Sequence, residues 1–205
     1  MFLFNFASFY SIFVDPLLRD VRAYVPQFVG LKAGDRVLDV ACGTGAQAGH
    51  YAMTGIIATG VDQNPDMIKM AEKKARKHGL SNAYFQVASA LKLPFKDGLF
   101  DGASISLALH ENESSDKDRI LSEMKRVVKK GGFLALIDFS TPLPRRYRFL
   151  IDVAEFLNGW HNYQCFREFI KSGGLDELVK RNHLEVKKRG HLKGASLTLV
   201  VAENL

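Results

Sequence analysis

Residues Val37-Leu38-Asp39-Val40-Ala41-Cys42-Gly43-Thr44-Gly45 decide how this chain is read. A short apolar run ends in two closely spaced glycines, and Ala46-Gln47-Ala48 then opens a segment with helical spacing. Glycine adopts backbone angles closed to other residues, and without a Cβ it lets a ligand approach the main chain. A glycine turn between a strand and a helix also presents N–H groups at the helix start. On spacing alone, Gly43-x-Gly45-x-x-Ala48 equally satisfies a dinucleotide fingerprint, so the glycines do not choose between nucleotide ligands. Asp39 does. It lies inside the strand, just ahead of the glycines, where dinucleotide enzymes keep an apolar side chain. A carboxylate there repels a pyrophosphate and suits a ligand carrying positive charge. Asp62 follows the next apolar run, where an acidic side chain can accept both hydroxyls of a ribose.

Outward from this turn, short apolar runs alternate with helix-period segments, the pattern of a parallel sheet covered on both faces. Strands are expected at Arg36 to Val40, Ile56 to Val61, Ala83 to Val87, Phe100 to Leu107 and Phe133 to Phe139. Helices are expected near Ala46 to Met53, from Asn64-Pro65 to His78-Gly79, and over Ser115 to Lys130, the last ended by Gly131-Gly132. Beyond Thr141-Pro142, Tyr147 to Leu157 and the surroundings of Phe166, Phe169 and Ile170 read as helical, with a break at Gly173-Gly174. Leu184 to Lys188 and Ser196 to Ala202 read as a closing hairpin. These readings divide one domain into an N-terminal segment (1–33), a ligand-binding core (34–140), a helical insertion (141–182) and a terminal hairpin (183–205).

The 205 residues are 47% hydrophobic and 24% charged, the balance of a soluble globular protein. Cys42 and Cys165 stand far apart, which speaks against a disulfide framework or a metal cluster and for a reducing cytoplasm. The net charge of +6 raises the question of an anionic partner. Its basic residues fall mainly in three groups: Lys69, Lys73, Lys74, Arg76 and Lys77; Lys125, Arg126, Lys129 and Lys130; Lys187, Lys188 and Arg189. Solvated helix faces account for most of them, with RNA or a lipid surface as the alternative. The aromatic N-terminus (Phe2, Leu3, Phe4, Phe6, Phe9, Tyr10, Ile12, Phe13, Val14) lacks the basic start and cleavage site of a signal peptide.

Val37 to Gly45 resembles the first motif of class I S-adenosylmethionine-dependent methyltransferases, and Val61-Asp62-Gln63-Asn64-Pro65 resembles their second. Leu93 to Asp101 is similar to the stretch entering their fourth strand, and Arg126 to Gly132 to the helix end before their fifth. The nearest likeness is to the ubiquinone/menaquinone-type C-methyltransferases and related small-molecule enzymes. The resemblance implies a Rossmann-like three-layer sandwich: a mostly parallel seven-stranded sheet with an antiparallel terminal strand. It implies S-adenosylmethionine as cofactor, held by Asp39, Ala41, Gly43, Gly45, Asp62, Gln63, Ser89 and Ala90. One position departs. The family commonly carries Gly-Asp-Ala before Leu-Pro-Phe, its aspartate on the adenine amine, whereas this chain has Ala88-Ser89-Ala90.

Methyl transfer needs a nucleophile held against the methyl group, and many nucleophiles must also lose a proton. His110, past the fourth strand, is the candidate base because imidazole titrates near neutrality; no metal is expected. Tyr10, His161 and Tyr163 are further candidates for a substrate wall. The resemblance also implies that the aromatic N-terminus closes over the cofactor. Phe4, Phe6, Phe9 and Phe13, with Trp160 opposite, suit a small lipophilic, quinol-like acceptor and peripheral contact with a membrane. Three other functions compete: an RNA methyltransferase, an NAD(P)-dependent oxidoreductase favoured by the glycine spacing, and a cofactor-binding protein without catalysis.

Overall fold

The computed structural model describes residue 8 and residues 10–205. Phe2, Leu3, Phe4, Phe6, Phe9 and the side chain of Phe13 therefore lie outside the described residues. In chain order the main elements are α1 (Arg19–Val29), β1 (Arg36–Val40), α2 (Ala46–Met53), β2 (Ile57–Asp62), α3 (Pro65–Lys77), β3 (Ala83–Val87) and β4 (Phe100–Ser106). They continue with α4 (Ser114–Val127), β5 (Val128–Phe139), α5 (Arg145–Leu157), α6 (Trp160–Ser172), α7 (Gly174–Arg181), β6 (Glu185–Leu192) and β7 (Leu197–Glu203).

Side chains along a strand point alternately to opposite faces, and this period builds two cores. Leu38 and Val40 of β1 enter one hydrophobic cluster while Val37 enters the other. Leu134 and Leu136 of β5 oppose Ala135 and Ile137 in the same way. Strands apolar on both faces need cover on both. On one face α1 and α2 supply Val21, Val25, Ala48 and Tyr51. On the other, α4, α6 and α7 supply Ile120, Met124, Phe169, Leu175 and Leu178. The result is a three-layer sandwich around a seven-stranded sheet of order β3-β2-β1-β4-β5-β7-β6. The first five strands pair in parallel, and β7 is antiparallel to both its neighbours. Strand order reverses beside β1, which opens a crevice at the carboxyl ends of the strands.

Local chemistry sets some element ends. Asn64 caps α3 by accepting the Asp66 N–H at 2.9 Å, with Pro65 at the first helical position. Elsewhere a distant partner decides. Gly131-Gly132 does not end α4, because the helix stops at Val127 and β5 begins at once. The Asn204 amide, from the chain end, donates to the carbonyls of Lys125 and Val128 and so finishes the helix. The glycines sit inside β5 at a register shift against β4. A Cβ on Gly132 would lie 2.6 Å from the Asp101 carbonyl oxygen, so the bulge needs glycine there. β6 also runs further than the expected Leu184 to Lys188. It is a charged edge strand, carrying Lys187, Lys188 and Arg189, and its exposure hides it from an apolar pattern. Several basic residues of the three groups are ion-paired: Lys74 with Asp15, Arg126 with Glu123 and Asp97, Lys129 with Asp101, and Lys187 with Glu185 and Glu203. Among the described residues, no helix is long and apolar enough to cross a membrane.

Candidate functional site

Loops at the carboxyl ends of β1 to β4 surround a cavity of about 290 Å³. Ala41 and Gly43 follow β1, Asp62, Gln63 and Asn64 lie at the end of β2, Ser89 and Ala90 follow β3, and Leu107 and Ala108 follow β4. Tyr10, Glu111, Asn158 and Asn162 complete the wall. Two more open depressions, one between α3 and β3 and one beside α6, are lined by none of the expected site residues. Ala41 and Leu107, both on the cavity, hold φ at 52° without being glycine. Such left-handed residues are uncommon and cluster at functional sites.

The two glycines of the loop have separate tasks. Gly43, at φ 53°, faces open space, where a ligand could come close. Gly45 does not line the cavity. A Cβ there would lie 2.6 Å from the Ala71 Cβ and 2.7 Å from the Phe85 ring, so this glycine lets α2 start against α3 and β3. The Asp62 carboxylate ties β2 to the loop: Oδ2 accepts the Gly43 N–H at 2.9 Å and Oδ1 the Asn64 N–H at 2.9 Å. A carboxylate has about four lone-pair positions, so two backbone bonds leave room for two hydroxyl donors.

Asp39 sits elsewhere. Strand alternation places it on the α2 side of the sheet with Val37, 2% exposed, opposite Ser104 of β4. The Ser104 hydroxyl donates to Oδ1 at 2.9 Å, while buried Oδ2 has no hydrogen-bond partner. Burial, only partly opposed by Ser104 and Arg22, pushes its pKa up to about 7. The carboxyl therefore lies behind the loop as a group that titrates near neutrality.

His110 is not on the cavity wall. In the short turn Leu109–Glu111 its ring points inward, 2% exposed, among Phe139, Phe166 and Phe169. Nδ1 meets Asp138 Oδ1 at 2.6 Å, and Nε2 lies 3.6 Å from Glu155 Oε2. Burial disfavours the charged ring, yet the charges and hydrogen bonds of Asp138 and then Glu155 outweigh it, raising the pKa to about 10. An imidazolium at neutral pH has no lone pair for a proton, so this environment does not make His110 a base. The next residue takes the cavity position. Glu111 lines the wall, and its Oε1 accepts from the Asn158 amide at 2.9 Å. Burial raises its pKa above the ordinary glutamate value despite the opposing charge of His110. The sequence signal for Glu111 was its place beside His110, but only the turn reveals which of the two faces the cavity.

Asp15, just before α1, is fastened to the glycine loop. Asp15 accepts the Thr44 hydroxyl at 2.5 Å, pairs with Lys74 at 2.5 Å and with Arg22 at 2.7 Å. Those partners outweigh burial and hold its carboxyl below the usual range. Tyr10, one turn earlier, reaches the cavity, and burial pushes its phenol up to about 12. Ser89 is on the wall, its hydroxyl oxygen already accepting the Leu91 N–H at 3.2 Å. His161, Tyr163 and Trp160 are not: Trp160 is 62% exposed, and Tyr163 packs against it and Phe156.

A model of the ubiE/COQ5 methyltransferase family matches residues 13–158. The chain belongs to this family. It is 32% identical over 193 residues to the ubiquinone/menaquinone biosynthesis C-methyltransferase UbiE of Psychromonas ingrahamii, covering 85% of this chain and 76% of that one. Against the protein of the same name from Serratia proteamaculans it is 42% identical over 118 residues, covering 56% of this chain and 46% of that one. The chain thus spans about half the length of the second relative. A crystal structure of an S-adenosylmethionine-dependent methyltransferase from Aquifex aeolicus superposes with a TM-score of 0.74 at 22% identity, covering 97% and 98% of the two chains, and shares the fold. The protein is accordingly a methyltransferase that uses S-adenosylmethionine.

The cavity suits that cofactor on its own geometry. Asp62 keeps acceptor positions open beside the loop, a Cβ on Gly43 would meet nothing within 4 Å, and Asp39, a carboxyl that titrates near neutrality, lies behind the same loop.

Proposed function

We propose that the protein transfers the methyl group to a ring carbon of a lipophilic, quinol-like acceptor. The observation that carries this reading is the mixed lining of the cavity. Besides the loop residues with Asp62, Ile105, Leu107, Ala108 and Ile120 supply apolar wall, and Glu111 supplies a second carboxylate. An aromatic ring packs on such a wall while its phenolic hydroxyl finds the carboxylate. The relatives named for ubiquinone/menaquinone C-methylation support the same class of acceptor.

In this reading Asp62 and Gln63 hold the ribose, Ala41 and Gly43 line the path of the cofactor's amino-acid tail, and Ser89 with Ala90 borders the adenine. Gly45 acts indirectly by setting the start of α2. S-adenosylmethionine, when bound, supplies a methyl group made electrophilic by a positively charged sulfur. Glu111 takes the proton of the acceptor's hydroxyl, which makes the ring carbon nucleophilic; once the new carbon–carbon bond has formed, the ring carbon loses its own hydrogen as a proton to water and Glu111 returns its proton to the ring oxygen, so one proton is released overall. Burial raises the Glu111 pKa above the ordinary glutamate value, which makes its carboxylate a stronger base. Tyr10 adds an aromatic side chain to the same wall. The stretch from Tyr10 to Asp15, pinned by Asp15 to Thr44, would keep water from the reacting atoms. Cys42 and Cys165 are both unbridged, in keeping with a cytoplasmic setting.

Radiolabelled methyl transfer tests the acceptor. Label should enter a demethylated quinol and leave RNA and polar small molecules unlabelled; label found only in RNA would overturn the proposal. Glu111→Gln should lower turnover about 100-fold, the lower end of what general acid–base catalysis supplies, with cofactor affinity unchanged. Equal turnover in this variant would remove Glu111 from the chemistry.

Asp39 gives a pH test. Below about pH 7 its carboxyl is neutral, and above that value it is charged. A positively charged sulfur is held better by the charged form, so affinity for S-adenosylmethionine should rise as pH increases from 6 to 8. The demethylated product, with a neutral sulfur, should respond less. Asp39→Asn should flatten the difference between the two ligands in calorimetric titrations, and an unchanged difference would release Asp39 from this role.

A further inference from the structure

α5 turns its apolar side outward. Phe149 is 75% exposed, Leu150 67%, Phe156 54% and Leu157 78%, and Trp160 follows at 62%. No residue of this helix is fully buried. The opposite side is anchored: Glu155 reaches His110 and Asn158 donates to Glu111, so the helix cannot simply roll its apolar face inward. Helical spacing gathers Phe149, Val153 and Phe156 into one stripe with Leu150 and Leu157 alongside, and Trp160, beyond the break at Gly159, packs its ring edge-on against Phe156. Apolar patches of this kind on a soluble surface mark a place of contact.

The charges around the stripe identify the contact. Arg145, Arg146 and Arg148 stand at the first turn of α5. Arg167 and Lys171 border an open depression beside the stripe, together with Arg148, which is paired with Asp152, and Glu168, which is paired with Lys117. The acidic groups on α5 are already engaged, Asp152 by Arg148 and Glu155 by His110. A second copy meeting the same face would set one net-positive surface against another. A bilayer with anionic headgroups instead matches both features, taking the apolar stripe into its interface and the cations at its phosphates. Trp160, packed against Phe156 and Tyr163, is an amphipathic ring suited to headgroup depth.

We infer that α5 and the start of α6 form a docking surface for an anionic lipid bilayer, lying beside the mouth of the cavity through Asn158 and Asn162. Its purpose, delivery of a lipophilic acceptor, rests on the function proposed above, whereas the surface itself does not. Such a surface would bring the cavity to the lipid in which a long-tailed quinol resides.

Trp160 is the single tryptophan of the chain, so its fluorescence reports directly on the surface. The emission should shift to the blue, and the protein should sediment, with vesicles of phosphatidylglycerol and phosphatidylcholine. Phosphatidylcholine alone should bind more weakly, and added salt should weaken the anionic case. Phe149→Ser combined with Leu157→Ser should lower vesicle affinity about tenfold or more. Unchanged cofactor titration would show that this variant is folded. No shift with either vesicle, or an equal response in the variant, would overturn the inference. So would a shift that appears without lipid as protein concentration rises and tracks dimer formation in sedimentation. A short-chain, water-soluble quinol separates the two proposals. Its methylation without any vesicle binding would leave the function standing and the surface refuted; vesicle binding without quinol methylation would do the reverse.

Discussion

Replacing Asp62 by alanine should weaken S-adenosylmethionine binding by about 3–6 kcal/mol, or at least 100-fold in Kd. Two hydroxyl donors to one carboxylate are charge-assisted hydrogen bonds, each contributing about 1.5–3 kcal/mol. The loss should exceed the ligand contacts alone, because the same oxygens accept the N–H groups of Gly43 and Asn64. Without them, the left-handed turn at Gly43 loses the bond that holds it against β2. Asp62→Asn sharpens the test: its single carbonyl oxygen cannot replace both acceptors, so affinity should remain well below wild type although the shape is kept. Calorimetric titration of cofactor and demethylated product checks both variants. Equal losses for the two ligands are expected, since both carry the same ribose.

His110→Ala should destabilise the fold by about 3–5 kcal/mol, the usual effect of removing one member of a buried ion pair. Asp138 is 0% exposed and would be left without its closest cation. The pH dependence has a definite sign. The folded pKa of about 10 lies above the ordinary value of 6.5, so the ring binds its proton more tightly in the folded state. Its stabilisation is fully present below about pH 6.5 and is lost as pH rises through about 10. Urea unfolding across that window should show wild-type stability falling toward that of His110→Ala. A pH-independent gap between the two would refute an imidazolium bound to Asp138 and Glu155. A catalytic base would behave differently, losing turnover with little change in stability.

The sheet was legible because its first five strands carry their own signals: apolar runs bounded by glycine, proline and capping residues, repeated along the chain. Asn64-Pro65 announced α3 for local reasons, and the structure starts the helix there. What local pattern missed was set by distant partners. Asn204 ends α4 from the far terminus, and the Asp101 carbonyl dictates glycine in the β5 bulge. The same division runs through the site. Ala41, Gly43, Asp62, Gln63, Ser89 and Ala90 meet on one cavity because each lies at the carboxyl end of a strand. Asp39 and Gly45, chosen from the same motif, stand behind the loop. Motif spacing says that a residue is near a turn, whereas strand alternation and helix contact decide which way its side chain points. His110 and Glu111 make the point most sharply: their polar atoms lie within 4.8 Å of each other and of Glu155, yet only Glu111 borders the cavity while the His110 ring is buried. No periodicity within a turn that short could have separated them.

Titration of the purified protein with S-adenosylmethionine, its demethylated product and NAD, side by side in a calorimeter, tests the central claim most directly. Saturable one-to-one binding of the first two with no heat from NAD is the predicted result. Saturable binding of NAD with no response to either sulfur nucleoside would contradict it.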